Sequence, residues 1–405
     1  MKTEKELKAR FKEELDKISV AELTSRLVQI PSYSFMENKE KEVAAYIYGL
    51  LQAEGIESEI VECYPGDYNV YARIPGSGRG KSLMLSGHID TVPPYDMEDA
   101  FGGRIEDGKI YGRGTCDMKG PVASMIAAMI AFKRAGIVLE GDIVFAALAD
   151  EEEEGRGVQY LVEQNGPVCD GTIMGEPTDM KIALGHKGLE WIDVLVEGFK
   201  VHGGNKDKGI NAIEMASRFI QKIYTEYVPV LNSREYPVLG VPTINVGRIA
   251  GGDQPSTVPG ECLIQLDRRC VPTETIEQVY QELEAICDEL HRQDPRFKAV
   301  VKDNFADSTD TLPRIPFCTE AEDPLVTSIQ HAMAEAEEGP EWTGELTAFP
   351  AWSDAGAISN KTGSHCVVMG PGDLSVAHSI HEYIYAADVQ KAAWIYGLTA
   401  INYCI

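Results

Sequence analysis

Short apolar runs bounded by glycine, proline or charged residues recur along the first half of the chain. Residues 83–85 and 143–148 are unbroken apolar segments, and runs of this length are typical of strands that are covered on both faces of a sheet. Longer segments between them end at glycine or proline, as helices do. The pattern predicts an α/β fold with helices at 20–30, 40–51, 121–135 and 386–402 and strands at 57–62, 68–74, 82–86, 143–148 and 366–369.

The pattern of apolar and polar residues changes from about residue 187. Long segments of alternating apolar and polar residues at 189–196, 243–249 and 262–267 are interspersed with helical patterns at 211–224 and 274–290. This order is that of a ferredoxin-like α+β layer with its own core. The sequence therefore predicts a smaller domain, residues 187–309, inserted into a larger domain formed by residues 1–186 and 310–405.

Chemically active side chains follow the apolar runs where the predicted strands end. Pro93 and Pro94 cannot continue a ladder, so His88 and Asp90 lie where a strand becomes a loop. In open α/β sheets, ligands bind at the carboxyl ends of the strands. Residues two apart in an extended segment point the same way, so Asp90 can accept the second ring N–H of a metal-bound His88. Taken alone, such a pair is more often a hydrogen-bonded histidine at a strand end than part of a site.

Further candidates stand in comparable places. Asp117 precedes the helix predicted at 121–135, the acidic run 150–154 follows an apolar strand, Glu176 follows a short strand, and His378 lies beyond the last strand. Each has an ordinary explanation, such as a helix cap for Asp117 or first-turn acids for 150–154. Five adjacent carboxylates nevertheless repel one another unless water or cations neutralise them. Together with His88, these side chains indicate a metal site.

Composition narrows the possible partners. The 405 residues include 37 basic and 64 acidic side chains, a net charge of −27, which disfavours binding to nucleic acid or to an anionic membrane. Residues 1–8 are charged and lack the apolar core of a signal peptide, and no apolar run approaches the length of a membrane span. The nine cysteines are scattered, which disfavours a disulfide framework. We expect a cytoplasmic protein.

Five stretches make the sequence resemble a known family of metallohydrolases, which includes acetylornithine deacetylase, succinyl-diaminopimelate desuccinylase, aminoacylase and glutamate carboxypeptidase. The stretches follow the family's order and span most of the chain. The resemblance implies a catalytic α/β/α sandwich with an inserted lid and dimerisation domain, and therefore a homodimer. The stretches are 87–93 (GHIDTVP), 112–120 (GRGTCDMKG), 150–152 (DEE), 175–178 (GEPT) and 370–372 (GPG) with 377–378 (AH).

The resemblance also implies a centre of two divalent metal ions. Asp117 would bridge the two ions. His88 and Glu176 would complete one site, and Glu152 and His378 would complete the other. Histidine and carboxylate ligands favour zinc, with cobalt or manganese as alternatives.

Glu151 is the neighbour that would not bind metal and would act as the general base. The run of four glutamates leaves the register open at first, because Glu153 or Glu154 could compete for this role. Asp150 at the strand end matches the family register with Glu151 as base. Asp90 would contribute to catalysis by orienting its histidine neighbour.

Three residues of the inserted domain are implied in substrate binding. His202, in the stretch 198–204, matches a lid histidine that reaches a neighbouring subunit's site and hydrogen-bonds the developing oxyanion. Residues 205–208 depart from the family pattern, which leaves the shape of this loop open. Arg269 stands where the family holds a substrate carboxylate, with a surface salt bridge as the alternative explanation, and Asn245 would line the same cleft.

The leading hypothesis is a two-metal hydrolase of the amide bond of N-acyl amino acids. Its substrate would be a small molecule with a free carboxylate, and its products a carboxylic acid and a free amino acid. A metallo-exopeptidase, either a carboxypeptidase or a dipeptidase, is the first alternative. A catalytically silent binding protein is the second, and the complete set of ligands and base argues against it.

Overall fold

The computed structural model describes residues 3–33, 35–36, 39–164, 166–304, 312–336 and 344–405. Several helices in these ranges begin at a cap, because the side chains of Thr3, Ser19 and Thr275 accept first-turn N–H groups. Within these ranges no helix has both the length and the apolar composition needed to cross a membrane. The helices are α1 (Glu4–Leu15), α2 (Val20–Val28), α3 (Lys41–Ala53), α4 (Gly120–Ala135), α5 (Arg156–Glu163), α6 (Ala212–Lys222), α7 (Val228–Leu231), α8 (Ile276–Gln293), α9 (Pro324–Glu335), α10 (Ala355–Thr362) and α11 (Ala386–Tyr403).

The strands form a large mixed sheet, a four-stranded sheet and a small three-stranded sheet. Their bounds are β1 (Glu57–Tyr64), β2 (Asp67–Ile74), β3 (Leu83–His88), β4 (Arg104–Glu106), β5 (Lys109–Tyr111), β6 (Ile143–Leu148), β7 (Gly171–Met174), β8 (Ile182–His186), β9 (Gly188–Glu197), β10 (Thr243–Gly251), β11 (Glu261–Cys270), β12 (Lys298–Asp303), β13 (Phe317–Cys318), β14 (Leu346–Phe349), β15 (His365–Val368) and β16 (Tyr383–Tyr385).

The large sheet has the order β1-β2-β6-β3-β7-β15-β8-β13, with β14 paired to β8. Its central strands β6, β3, β7 and β15 are parallel neighbours. The carboxyl ends of these four strands therefore meet at one edge of the sheet. The α/β fold predicted from the apolar runs is confirmed.

Both faces of the central strands are covered by helices. Leu83 and Leu85 of β3 lie in the core shared with α4 and α11, whereas Met84 lies in the core shared with α5 and α10. Alternate side chains of one strand thus enter two separate apolar layers. This is why the strand is apolar throughout and does not alternate with polar residues.

Residues 188–303 build the four-stranded unit, an antiparallel sheet of order β10-β11-β9-β12. The helices α6 and α8 pack on one face of this sheet, and the unit has its own core, which includes Val194, Phe219 and Leu283. The domain boundaries themselves stay predictions. The boundary predicted between residues 309 and 310 lies outside the described residues.

The N-terminal region contains one helix more than predicted. Two helices were expected before residue 55, whereas the structure has α1 ahead of them. Its apolar stripe is narrow, with Leu7, Phe11 and Leu15 among charged residues. Phe11 and Leu15 are buried, and the Phe11 ring lies 4.5 Å from that of Phe132. Tertiary packing therefore stabilises this helix, which was not predicted because its sequence is highly charged.

Candidate metal centre

His88 is the last residue of β3, and its side chain is buried among acids. Its Nε2 lies 3.1 Å from Oδ1 of Asp117 and 3.9 Å from Oε2 of Glu176. Its Nδ1 lies 3.0 Å from the main-chain oxygen of Asp90 and 3.5 Å from the Asp90 carboxylate. The main-chain oxygen is therefore the nearer partner of the ring, ahead of the carboxylate expected there. Anchoring one ring nitrogen leaves the other to face the acids, as in a metal ligand.

Asp117 lies in the short turn that leads into α4. Its Oδ1 faces His88, and its Oδ2 lies 3.1 Å from Nε2 of His378. The same nitrogen of His378 lies 3.0 Å from Oε1 of Glu152. One ligand atom each from His88, Asp117 and Glu152 lies within 4.8 Å of the others. A carboxylate whose oxygens face different histidines can bridge two cations.

The acidic turn after β6, residues 150–154, is held in place by contacts with Lys39 and Asp90. Asp150 adopts a left-handed conformation with φ of 64°, and its buried carboxylate pairs with the ammonium of Lys39. The main-chain N–H groups of Glu151 and Glu152 donate to the two oxygens of Asp90, each at 3.2 Å. The Asp90 carboxylate therefore positions the acidic turn, and the Asp90 main-chain oxygen contacts the ring of His88.

Glu176 follows β7 and completes the group of acids and histidines around His88. Ligand atoms of His88, Glu151 and Glu176 lie within 4.8 Å of one another. Oε1 of Glu176 is buried, and the described residues supply no hydrogen-bond donor to it. Burying such an oxygen unpaired is costly, and a cation would relieve that cost. The acid–histidine cluster, which fits divalent cations by its nitrogen and oxygen donors, comprises His88, Asp117, Glu151, Glu152, Glu176 and His378.

The protonation of the cluster reflects an excess of negative charge. Shielding from solvent, with neighbouring carboxylates, raises the pKa of Glu151 and of Glu176 well above the usual range. Hydrogen bonds with Asp117 and Glu152 raise the pKa of His378 to about 10. Protons thus compensate for the carboxylates in the protein alone. Divalent cations would provide the same compensation more effectively.

The three predicted substrate residues lie in the four-stranded unit and have local partners. His202 is exposed, and its Nδ1 accepts the N–H of Gly204 at 3.1 Å. Arg269 donates to both oxygens of Asp267, at 2.7 and 3.1 Å, and Asn245 stands opposite Asp267 in the β10–β11 register. Within the described residues, none of the three forms a hydrogen bond or ion pair with the acid–histidine cluster. Their roles toward substrate stay predictions.

Sequence reasoning missed polar residues that lie behind the cluster. Arg113 and Glu382 form a buried ion pair, and each stands four positions from a candidate ligand, which was an available signal. Asp354, just before α10, is fully buried. The described residues offer no hydrogen-bond partner to either of its carboxylate oxygens. No nearby motif marked Asp354, so only the fold could reveal it.

Histidines and carboxylates that meet at the carboxyl edge of an α/β sheet, with His88, Asp117 and Glu176 buried, are typical of a metal-dependent hydrolase. Residues 84–402 match the profile of peptidase family M20/M25/M40, and the chain belongs to that family. An acetylornithine deacetylase of Myxococcus xanthus is 30% identical over 389 residues, which cover 94% of this chain and 96% of that protein.

Solved structures agree with this assignment. Aminopeptidase PepT from Bacillus cereus superposes with a TM-score of 0.78 at 20% identity, covering 96% of this chain and 98% of that chain. The YXEP protein of Bacillus subtilis, described as a dinuclear metal binding peptidase from the M20 family, superposes with a TM-score of 0.72 at 17% identity, covering 96% and 98%. The α/β fold is thus that of the family, whose members hydrolyse amide and peptide bonds and depend on two metal ions.

Proposed function

We propose that the chain is a two-metal deacylase that hydrolyses the amide bond of N-acyl amino acids and releases a carboxylic acid and a free amino acid. The observation that carries this proposal is the acid–histidine cluster, in which Glu151 lies beside the five proposed ligands. The near full-length similarity to an acetylornithine deacetylase supports the choice of substrate class. We place the enzyme in the cytoplasm.

The ligands divide between two ions. In this proposal Asp117 would serve both ions, His88 and Glu176 would hold one, and Glu152 and His378 would hold the other. Zinc suits these donors best, with cobalt or manganese as substitutes. Two bound divalent cations would polarise the scissile carbonyl and lower the pKa of the attacking water.

Glu151 then performs the proton transfers. Its carboxylate accepts the proton of the attacking water and passes it to the leaving nitrogen. The N–H of Glu151 is held by Asp90, so the position of the base is fixed by the same carboxylate that lies beside His88. Asp90 thereby contributes to catalysis without touching the substrate.

The remaining predicted residues complete the site from the four-stranded unit, which we propose is the inserted lid and dimerisation domain. In a homodimer, His202 of one subunit would donate a hydrogen bond to the oxyanion in the other subunit's site. Arg269, released from Asp267, would bind the substrate carboxylate in a bidentate pair, with Asn245 beside it. This arrangement explains why a single chain keeps His202 away from the acid–histidine cluster.

Metal content and substrate choice test the proposal together. Purified protein is analysed for bound metal by mass spectrometry, and hydrolysis of N-acetyl and N-succinyl amino acids is compared with hydrolysis of dipeptides, before and after chelation. We expect about two ions per chain and chelator-sensitive hydrolysis of N-acyl amino acids. Faster cleavage of dipeptides would instead identify an exopeptidase. Absence of metal and of turnover after addition of zinc or cobalt would contradict the proposal and favour a binding protein.

A further inference from the structure

Arg113 and Glu382 form an ion pair that is almost completely shielded from water. Nη1 of Arg113 donates to Oε2 of Glu382, and the two side chains are 1% and 0% exposed. The residues are 269 positions apart in the chain. The pair joins the segment before Asp117 to the segment after His378.

Glu382 holds the main chain around Asp117. Its Oε1 accepts the N–H groups of Gly114 at 3.0 Å, Cys116 at 3.0 Å and Asp117 at 3.2 Å. Three N–H donors and a guanidinium give both oxygens of this buried carboxylate hydrogen-bond partners. The turn that presents Asp117 is therefore wrapped around the Glu382 side chain.

The guanidinium of Arg113 reaches two further loops. Its Nη2 donates to the main-chain oxygen of His378 at 3.3 Å, and its Nε donates to the main-chain oxygen of Pro93 at 3.2 Å. Pro93 lies in the loop that follows His88, and His378 has a left-handed backbone with φ of 59°. One ion pair thus contacts the three loops that present His88, Asp117 and His378.

We infer that Arg113 and Glu382 are positioning residues that set the separation of Asp117 and His378 before any metal binds. The inference rests on the proposed two-metal function. Buried ion pairs contribute little net stability compared with apolar packing, so stability alone does not account for this pair. Fixing ligand positions in advance raises metal affinity, because binding then needs no reorganisation of the loops.

The four-stranded unit provides a matched control. Arg268 and Glu274 form an ion pair of similar burial, with 0% and 3% of the side chains exposed. This pair belongs to the core of a different sheet and contacts Thr243 and Val271, not the loops of the acid–histidine cluster. Losing Glu274 therefore reproduces the loss of a buried charge without the loss of ligand positioning.

The experiment compares Glu382→Gln with Glu274→Gln. Metal-free protein is prepared by chelation, its melting temperature is recorded, and cobalt or zinc is titrated by calorimetry. We expect both variants to melt at lower temperature than the wild type. Affinity should fall about 10- to 100-fold for both ions in Glu382→Gln, because Asp117 is shared, and stay within about 2-fold in Glu274→Gln.

A second variant keeps the inference testable if Glu382→Gln fails to fold. Arg113→Lys retains the positive charge but cannot reach Glu382, His378 and Pro93 together. We expect weaker binding of the ion assigned to Glu152 and His378. Unchanged affinity in a folded variant of either residue would overturn the inference while leaving the proposed function intact. A wild type that binds no metal would instead refute the proposed function, and the inference with it.

Discussion

Glu151 is the residue on which proton transfer depends in the proposed mechanism. Glu151→Gln keeps the shape of the side chain but removes its capacity to accept a proton. We expect kcat on the best N-acyl amino acid to fall by about 10² to 10⁴. Metal content measured by mass spectrometry should stay at the wild-type value, because Glu151 is not among the proposed ligands.

The same acidic run supplies the control for this prediction. Glu154 pairs with Arg156 at 2.7 Å on the outer side of the turn, so Glu154→Gln should change kcat less than about 2-fold. If Glu154→Gln is inactive and Glu151→Gln is active, the general base is Glu154, three positions further along the chain than proposed. That result would also show that the register taken from the family stretch 150–152 is wrong.

At the scale of elements, two helix glycines should respond oppositely to alanine. Gly49 lies in α3, and among the described residues no atom outside its own stretch of the helix lies within 4 Å of the position its Cβ would take. Gly157 lies in α5, where a Cβ would be 2.4 Å from both N and O of Ala149. We expect Gly49→Ala to raise the free energy of unfolding by about 0.5–1 kcal/mol and Gly157→Ala to lower it by about 1–3 kcal/mol.

Urea unfolding of the two glycine variants measures both values. Because alanine has the higher helix propensity at either site, propensity alone predicts a gain in both. A stabilised Gly157→Ala would therefore contradict the close approach of α5 to the end of β6. That approach matters for function, since it is one of the contacts that confine the acidic turn.

His186, the last residue of β8, should make the free energy of unfolding depend on pH. Burial lowers the pKa of His186 to about 4, and its ring nitrogens contact the main chain of Lys187 and Ser353. The unfolded histidine, with a pKa of about 6.5, binds a proton first as the pH falls. Stability from the neutral ring is therefore present above about pH 6.5 and is lost as the pH falls toward about 4.

His186→Gln removes the ionisable ring. Any pH dependence of stability that the variant keeps therefore comes from other groups. The wild type should lose about 2 kcal/mol more than the variant between pH 7 and pH 5, so the difference in unfolding free energy between them should narrow. Chemical unfolding at the two pH values measures it. Parallel pH profiles for the two proteins would show that folding does not lower the pKa of His186.

The elements that carry the cluster were predictable because several local signals agree. The apolar run of β3 and the prolines after it place His88 at a strand end, and β6 places the acidic turn in the same way. The place of Glu382 four positions after His378 marked it as a neighbour of the site, but its role could not be predicted, because its partners are main-chain N–H groups far away in sequence. Nor could local signals identify α1, whose few apolar residues are explained only by the core they enter.

For the whole molecule, one open edge of the four-stranded unit is the surface through which we propose that two copies pair. The strand β10 is an edge strand of nine residues, most of them exposed. Long exposed edges tend to pair with another chain unless they are protected. Pairing of β10 between two copies would give a closed homodimer with two equivalent sites. The homodimer is part of the proposed function and predicts that each site takes His202 from the other chain.

Subunit complementation tests that prediction. His202→Ala and Glu151→Gln should each reduce kcat by about 10²-fold or more. A hybrid dimer carries one site with both defects and one with neither, because Glu151 and His202 of a site come from different chains. Coexpression of the two variants should therefore restore about a quarter of wild-type activity, since about half of the dimers are hybrids with one intact site.

The control pairs Glu151→Gln with Glu152→Gln, whose defects both lie in the acid–histidine cluster of a single chain. Hybrids of these two contain no intact site, so their activity should stay at that of the parents. If the first pair also stays at the level of its parents, His202 does not act across the dimer. If the control pair recovers activity, each site draws its cluster from both chains, which the contacts of 3.0 and 3.1 Å that join His378 to Glu152 and Asp117 within one chain argue against.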